Sequence, residues 1–216
     1  MKKETVLKAL QALKKDSPQR NFDQSVDIII NLKNLNLKNP SDQVDFFVNL
    51  HHGIGRKITV CALVGPELLE DAKKYCDFAV EASHFDEYAD KKKAKKLAST
   101  YDYFIAQANI MQRVAAVFGR TLGPRGKMPN PKAGCIIPPK GNVKATVEKL
   151  QKTVRIMAKK SPQIQLSIGK ASQPEEEVVD NILYVYDQVI HHLPKEKENI
   201  KNVAIKLTMS KPVVLS

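Results

Sequence analysis

Arg125, Lys127 and Lys132 share one short stretch, Leu122-Gly-Pro-Arg-Gly-Lys-Met-Pro-Asn-Pro-Lys132. Three prolines restrict its backbone and two glycines permit tight bends, so the cations sit on a stiff loop. Such a loop suits an anionic partner. Loops of this length are usually functional or disordered, and this one is too rigid and patterned for disorder. The run Lys91, Lys92, Lys93, Lys95 and Lys96 reads first as a solvated helix face. Its second reading is a polyanion patch adding salt-dependent, sequence-blind affinity.

Enzyme signatures fail one by one. Gly53-Ile54-Gly55 has no third glycine and precedes a strand, so a dinucleotide-binding turn is not met. Gly123 to Lys127 resembles a phosphate loop only at a glance. A Walker motif needs glycine where Thr121 stands and a hydroxyl residue where Met128 stands. The pairs His51-His52 and His191-His192 point apart on a strand or a helix, and His84 stands alone, so none is expected to chelate a metal. Cys61, Cys76 and Cys135 are far apart and odd in number, which excludes a disulfide framework and fits a reducing cytosol. No catalytic residues, no cofactor and no metal are expected.

The elements that must position these residues follow from periodicity. Val6, Leu7, Leu10 and Leu13 predict a helix over 3–15, ended by Ser17-Pro18. Strands are expected at 25–33 and 43–50; the link between them, 34–42, is long for a hairpin and holds Pro40. A continuous apolar strand at 58–64 leads through Gly65-Pro66 into a helix. A short strand at 78–81, a helix at 86–99, a strand at 102–106 and a helix at 109–118 follow. This alternation predicts a parallel sheet flanked by helices. After the loop region come a helix at 142–152 and strands at 153–158 and 163–169. Ser172-Gln-Pro174-Glu-Glu-Glu is a helix start, with Ser172 as the capping hydroxyl. A last strand covers 200–208.

The fold class is therefore α/β: an α+β terminal domain, residues 1–62 and 155–216, carrying an inserted Rossmann-like three-layer α/β domain, residues 63–154. Two chain crossings can act as a hinge, so relative domain motion is the default expectation. The formal net charge is +12 over 216 residues, and 43% of them are hydrophobic. This balance favours a folded chain with a polyanionic partner, nucleic acid before a membrane surface. The charge is spread over all three segments, so a nucleic-acid site must be built on folded surface. No apolar signal core follows Met1, and no apolar run approaches a membrane span; a soluble cytoplasmic protein is expected.

The 122–132 loop resembles, nearly residue for residue, the signature of the ribosomal protein L-one family, the protein of the mobile large-subunit stalk. Asn21-Phe-Asp-Gln-Ser25, Ile168-Gly-Lys-Ala-Ser172 and Thr208-Met-Ser210 agree with it, in order, over essentially the whole chain. The ending Thr208-Met-Ser-Lys-Pro212 looks like the archaeal and eukaryotic branch. The resemblance implies two domains with the middle one inserted. It implies no enzyme but a structural constituent of the large subunit. Its expected partners are the ribosome, large-subunit rRNA, its own mRNA as a translational repressor, and exiting tRNA, with no membrane partner and a monomer when free.

Residue by residue, the resemblance places RNA contacts at Asn21, Phe22, Ser25, Lys159, Gln165, Lys170, Asn202, Thr208, Met209, Ser210 and Lys211. Arg125, Lys127 and Lys132 become a secondary nucleic-acid contact. Asn21 falls where many members carry a basic residue, Asn202 where others carry serine, and Ser210 where glycine is usual. The chemistry suits the roles. A hydroxyl such as Thr208 can bond a ribose 2′-OH, which distinguishes RNA from DNA. Phe22 and Met209 offer apolar surface to sugars and bases, and Lys159 and Lys211 neutralise phosphates. Two rivals make different predictions. An α/β enzyme would bind a nucleotide at the strand ends of the middle domain. A basic chaperone or membrane-surface protein would show no RNA preference at moderate salt.

Overall fold

The computed structural model describes residues 1–18 and 20–215. In chain order the elements are α1 (Lys3–Asp16), β1 (Ser25–Leu32), β2 (Val44–Asn49), β3 (Val60–Val64), α2 (Leu69–Tyr75), β4 (Phe78–Glu81), α3 (Lys91–Thr100), β5 (Tyr103–Gln107), α4 (Met111–Leu122), β6 (Ile136–Ile137), α5 (Val143–Leu150), β7 (Thr153–Ala158), β8 (Gln163–Lys170), α6 (Glu175–His192), β9 (Ile200–Leu207) and β10 (Val213–Val214). The fold is mixed α/β, as the strand and helix periodicities predict.

Residues 1–56 and 152–216 form one compact unit, and 57–151 form a second. The boundaries therefore lie several residues earlier than 62/63 and 154/155, which would have cut β3 and β7. A side-chain clasp sets them. The Gln151 amide accepts from the Ile58 N–H at 2.9 Å and donates to the Ile58 carbonyl at 2.8 Å, closing the second unit on itself.

In the terminal unit, four strands run in the order β10-β9-β1-β8, all antiparallel. Alternation in β1 sends Val26, Ile28, Ile30 and Leu32 to one face, where they are buried with Ile164, Ile168, Val203 and Ile205. The apolar stripes of α1 (Val6, Leu10, Leu13) and α6 supply the other half of that core. Each fully buried aliphatic side chain contributes roughly 1.5–3 kcal/mol. The opposite face, bearing Ser25, Asp27, Ile29 and Asn31, is only half-buried. β1 and β2 do not form a hairpin, in keeping with their long link. Instead β2 pairs with β7 in a separate two-stranded ribbon, because the long Asn34–Gln43 link carries the chain out of the first sheet.

In the inserted unit, four parallel strands run in the order β4-β3-β5-β6. All five residues of β3 are buried, so both faces are covered. On one face Cys61, Leu63 and Phe104 pack with Leu97, Val114 and Phe118 from α3 and α4. Helix α2 packs against β3 and α5. The helix expected at 86–99 divides into a 3-10 stretch, Ala82–Ala89, and α3. Asp90 makes the break, its carboxylate accepting from the Lys92 N–H at 3.0 Å as an N-cap. The α3 lysines stay exposed while Ala94, Leu97 and Ala98 face inward.

Candidate nucleic-acid interface

One end of the open sheet gathers three segments: residues 21–25 entering β1, residues 170–173 leaving β8, and residues 208–211 after β9. Buried Gln24 ties them together. Its amide donates to the Ser17 hydroxyl at 3.2 Å and accepts from the Met209 N–H at 3.1 Å. Its carbonyl accepts from the Ala171 N–H at 2.8 Å. The Asp23 carboxylate accepts from both the N–H and the hydroxyl of Ser172, at 3.2 and 2.7 Å. Ser172 is therefore not the cap of α6; that helix starts after Pro174, with no side-chain cap.

Around this frame stand the expected contact residues. The Ser25 N–H donates to the Thr208 hydroxyl at 3.0 Å, and the Thr208 N–H donates to the Ser25 carbonyl at 3.1 Å. Thr208 remains exposed, with its own hydroxyl proton left to donate. The Lys170 ammonium reaches the Ser25 hydroxyl and the Asp23 carbonyl, both at 3.1 Å. It thus fixes the cluster while adding positive charge. Phe22 and Met209 are 51% and 58% exposed, unusual for large apolar side chains without a partner. The Ser210 hydroxyl folds back onto its own turn, accepting from the Leu207 N–H at 2.8 Å and donating to the Lys211 carbonyl at 3.0 Å. Its φ is not positive, so the turn closes without glycine. Asn21 and Lys211 are exposed beside it. A hollow of about 370 Å³ adjoins the cluster, with Lys14, Arg20 and Phe22 in its wall.

Three expected contacts lie elsewhere. Gln165 and Asn202 are on the open face but further along it, opposite Ile29 and Asn31. Asn31 is roughly 20 Å along the strand from Ser25. The Asn31 side-chain amide donates to the Asn202 side-chain oxygen at 2.6 Å. Lys159 follows β7 on the two-stranded ribbon, its ammonium 2.7 Å from the Asp45 carboxylate. Arg155 grips the same carboxylate at 2.8 and 2.9 Å, and these donors hold Asp45 down at about 2. Two cations share this one carboxylate, so the site keeps a net positive charge, with the Lys159 side chain partly exposed. Also on the open face, burial raises the Asp27 pKa against the opposing pull of Lys206.

The signature loop behaves differently. Arg125 donates to the Lys95 carbonyl at 3.1 Å and the Ser99 hydroxyl at 2.9 Å. The Lys127 ammonium donates to the Ala98 and Tyr101 carbonyls at 2.9 and 2.6 Å. Both cations cap the carbonyl end of α3, where the helix dipole favours positive charge. Lys127 is half-buried, whereas Arg125 and Lys132 remain exposed, the Lys132 N–H bonded to the Asn130 side chain at 2.9 Å.

The crevice where an α/β sheet takes a nucleotide is filled from within. At the carboxyl ends of β3 and β5, the Gln107 amide accepts from the Gly65 N–H at 2.7 Å and donates to the Glu67 carboxylate at 3.0 Å. A carboxylate there repels phosphate. His51 and His52 do converge, because they lie in a turn. Their ring nitrogens are 2.8 and 3.6 Å from the Asp180 carboxylate. Burial raises Cys76 and Cys135 to about 11 and Cys61 further, so none of the thiols is a ready nucleophile. No helix among the described residues is long and apolar enough to cross a membrane.

Gln24 and Asp23, which frame the cluster, were not among the expected contacts. Their signal was present: two polar residues between exposed Phe22 and the start of β1. Comparison with known proteins converges on the same assignment. The model of the ribosomal protein L1p/L10e family matches residues 12–211. The large ribosomal subunit protein uL1 of Nanoarchaeum equitans (strain Kin4-M) is 39% identical over 203 residues, 92% of this chain and 94% of that one. Those of Methanobrevibacter smithii and Pyrococcus abyssi are 36% and 33% identical, covering 97% and 98% of this chain and 97% and 95% of theirs. This chain belongs to the ribosomal protein L1p/L10e family and is of its archaeal type.

Proposed function

We propose that this chain is a structural, non-enzymatic constituent of the large ribosomal subunit in the cytoplasm, and that it grips folded large-subunit rRNA at the open end of its terminal unit. The contact consists of Phe22, Ser25, Lys170, Thr208, Met209 and the 210–211 turn, with Asn21 at its edge. Gln165 and Asn202 extend it along the sheet, and Lys132 is a secondary phosphate contact on the inserted unit. One observation carries the reading. The reciprocal Ser25–Thr208 pairing holds a hydroxyl and two exposed apolar side chains on a rigid frame, beside an ammonium. That combination suits a ribose edge, an unstacked base and a phosphate together. The same surface serves a messenger that mimics the rRNA site, so the chain represses its own synthesis. On the ribosome it belongs to the mobile stalk and meets exiting tRNA; free, it is a monomer.

Footprinting on large-subunit rRNA, with filter binding of the protected fragment, tests this. A protected folded region and tight binding at moderate salt are expected. Indifference to rRNA fragments, or equal affinity for any RNA, ends the proposal. Adding the messenger leader as competitor tests the repressor arm separately.

A further inference from the structure

A second feature, on the inserted unit, is absorbed neither by that interface nor by the fold. A cavity of about 460 Å³ opens beside α3, walled by Phe78, Tyr88 and Tyr101 and rimmed by Lys93 and Lys96. Phe78 is 38% exposed at the start of edge strand β4. Its ring stacks on Tyr101 with centroids 5.8 Å apart and planes 11° from parallel. Tyr101 in turn meets buried Phe104 edge-on, and Tyr88 leans on buried Phe118 at 5.6 Å. The aromatic wall is thus bolted to the core, with one face left in solvent. Among the described residues, neither Lys93 nor Lys96 has an ion-pair partner. Lys91, Lys92 and Lys95 continue the positive charge along the helix, against one lining carboxylate, Glu87.

We propose that this cavity is a second RNA site, taking one unstacked base of a single-stranded segment between the aromatic wall and α3 while Lys93 and Lys96 hold the flanking phosphates. The inference rests on the chain being an RNA-binding protein, but uses different residues and a different RNA form from the terminal interface. Flat apolar ligand, flanking negative charge and linear continuation all fit a single strand. An aliphatic or neutral peptide would leave the lysine stripe unused. Recognition is by stacking and charge, so it tolerates sequence.

The test is fluorescence anisotropy of the full-length protein with a labelled oligouridylate decamer, a strand without structure of its own. Phe78→Ala should weaken binding roughly tenfold, Phe78→Leu should weaken it nearly as much, and Phe78→Tyr should retain it, as stacking requires. Lys93→Gln with Lys96→Gln should lower the logarithmic salt slope by about 1.4, two phosphates' worth for a single strand. Decamer binding that ignores Phe78→Ala overturns the inference. So does polyglutamate competing as well as RNA, or uridine monophosphate saturating at the decamer's concentration. The folded rRNA fragment is measured in parallel on the same variants. Decamer effects failing while rRNA binding holds removes this site alone, and the reverse result removes the terminal interface alone.

Discussion

The turn at Thr208 and the loop at 122–132 carry comparable promise in the linear sequence, yet the fold treats them in opposite ways. At the turn, backbone groups satisfy one another, and the Thr208 hydroxyl, Met209 and Phe22 are left facing solvent. In the loop, Lys127 is turned inward to carbonyls at the end of α3, and exposed Arg125 is held by the Lys95 carbonyl and the Ser99 hydroxyl. A cation beside a helix C-terminus has a partner that no sequence pattern displays. Charge in a motif is therefore not charge on a surface. The loop's pattern reads better as the way this unit closes α3 than as a phosphate clamp.

The largest effect that would break this contrast concerns stability. Lys127→Met strips charged donors from two carbonyls, so the inserted unit should lose about 2 kcal/mol, read as a lower melting temperature. Affinity for the rRNA fragment should not change; a stable variant with weakened RNA binding would restore the loop to the interface. Next is Met209→Ala, which removes exposed apolar surface and no internal hydrogen bond. Specific RNA affinity should fall roughly tenfold, about 1.4 kcal/mol, with melting unchanged. Unchanged affinity would empty the turn of its proposed role.

A smaller effect tests the same rule inside the terminal unit. Asp45 has its pKa depressed to about 2 by Arg155, with Lys159 assisting. A depressed carboxylate stabilises the fold above its unfolded value near 3.8, and that stability is lost as pH falls from there toward 2. Asp45→Asn should lower stability at neutral pH by about 1 kcal/mol, the bridge being partly solvent-screened, and flatten the acid limb of a pH melting series. An acid limb unaltered by the substitution would show the bridge to be idle. Smallest is Lys159→Gln. It shares one carboxylate with Arg155, so a net positive charge remains; the salt slope of RNA binding should fall by about one unit, and a constant slope would take Lys159 off the RNA.

Much of this was legible from local pattern. The alternation in 25–32 and the stripe Val6, Leu10, Leu13 define their elements because burial repeats at the period of the backbone. The failures were long-range. A strand's partner depends on where its link travels, so the pairing of β2 with β7 is not visible in the sequence of either strand. Ser172 stands at a good capping position, but Asp23, far away in sequence, takes its hydroxyl. Gln24 carries no local signal of its partners, because its value lies in meeting Ser17, Ala171 and Met209 at once.

Residue order by itself determined the α/β class, the interruption of one unit by another, the absence of phosphate-loop motifs and the family likeness, since each depends on period, spacing or short identity. The tertiary structure alone decided which cations face water, where the units divide, and that Ser25 and Thr208 complete one another's hydrogen bonds. The physical reason is that a polar group's role depends on what else reaches it, and buried donors and acceptors find partners across any length of chain.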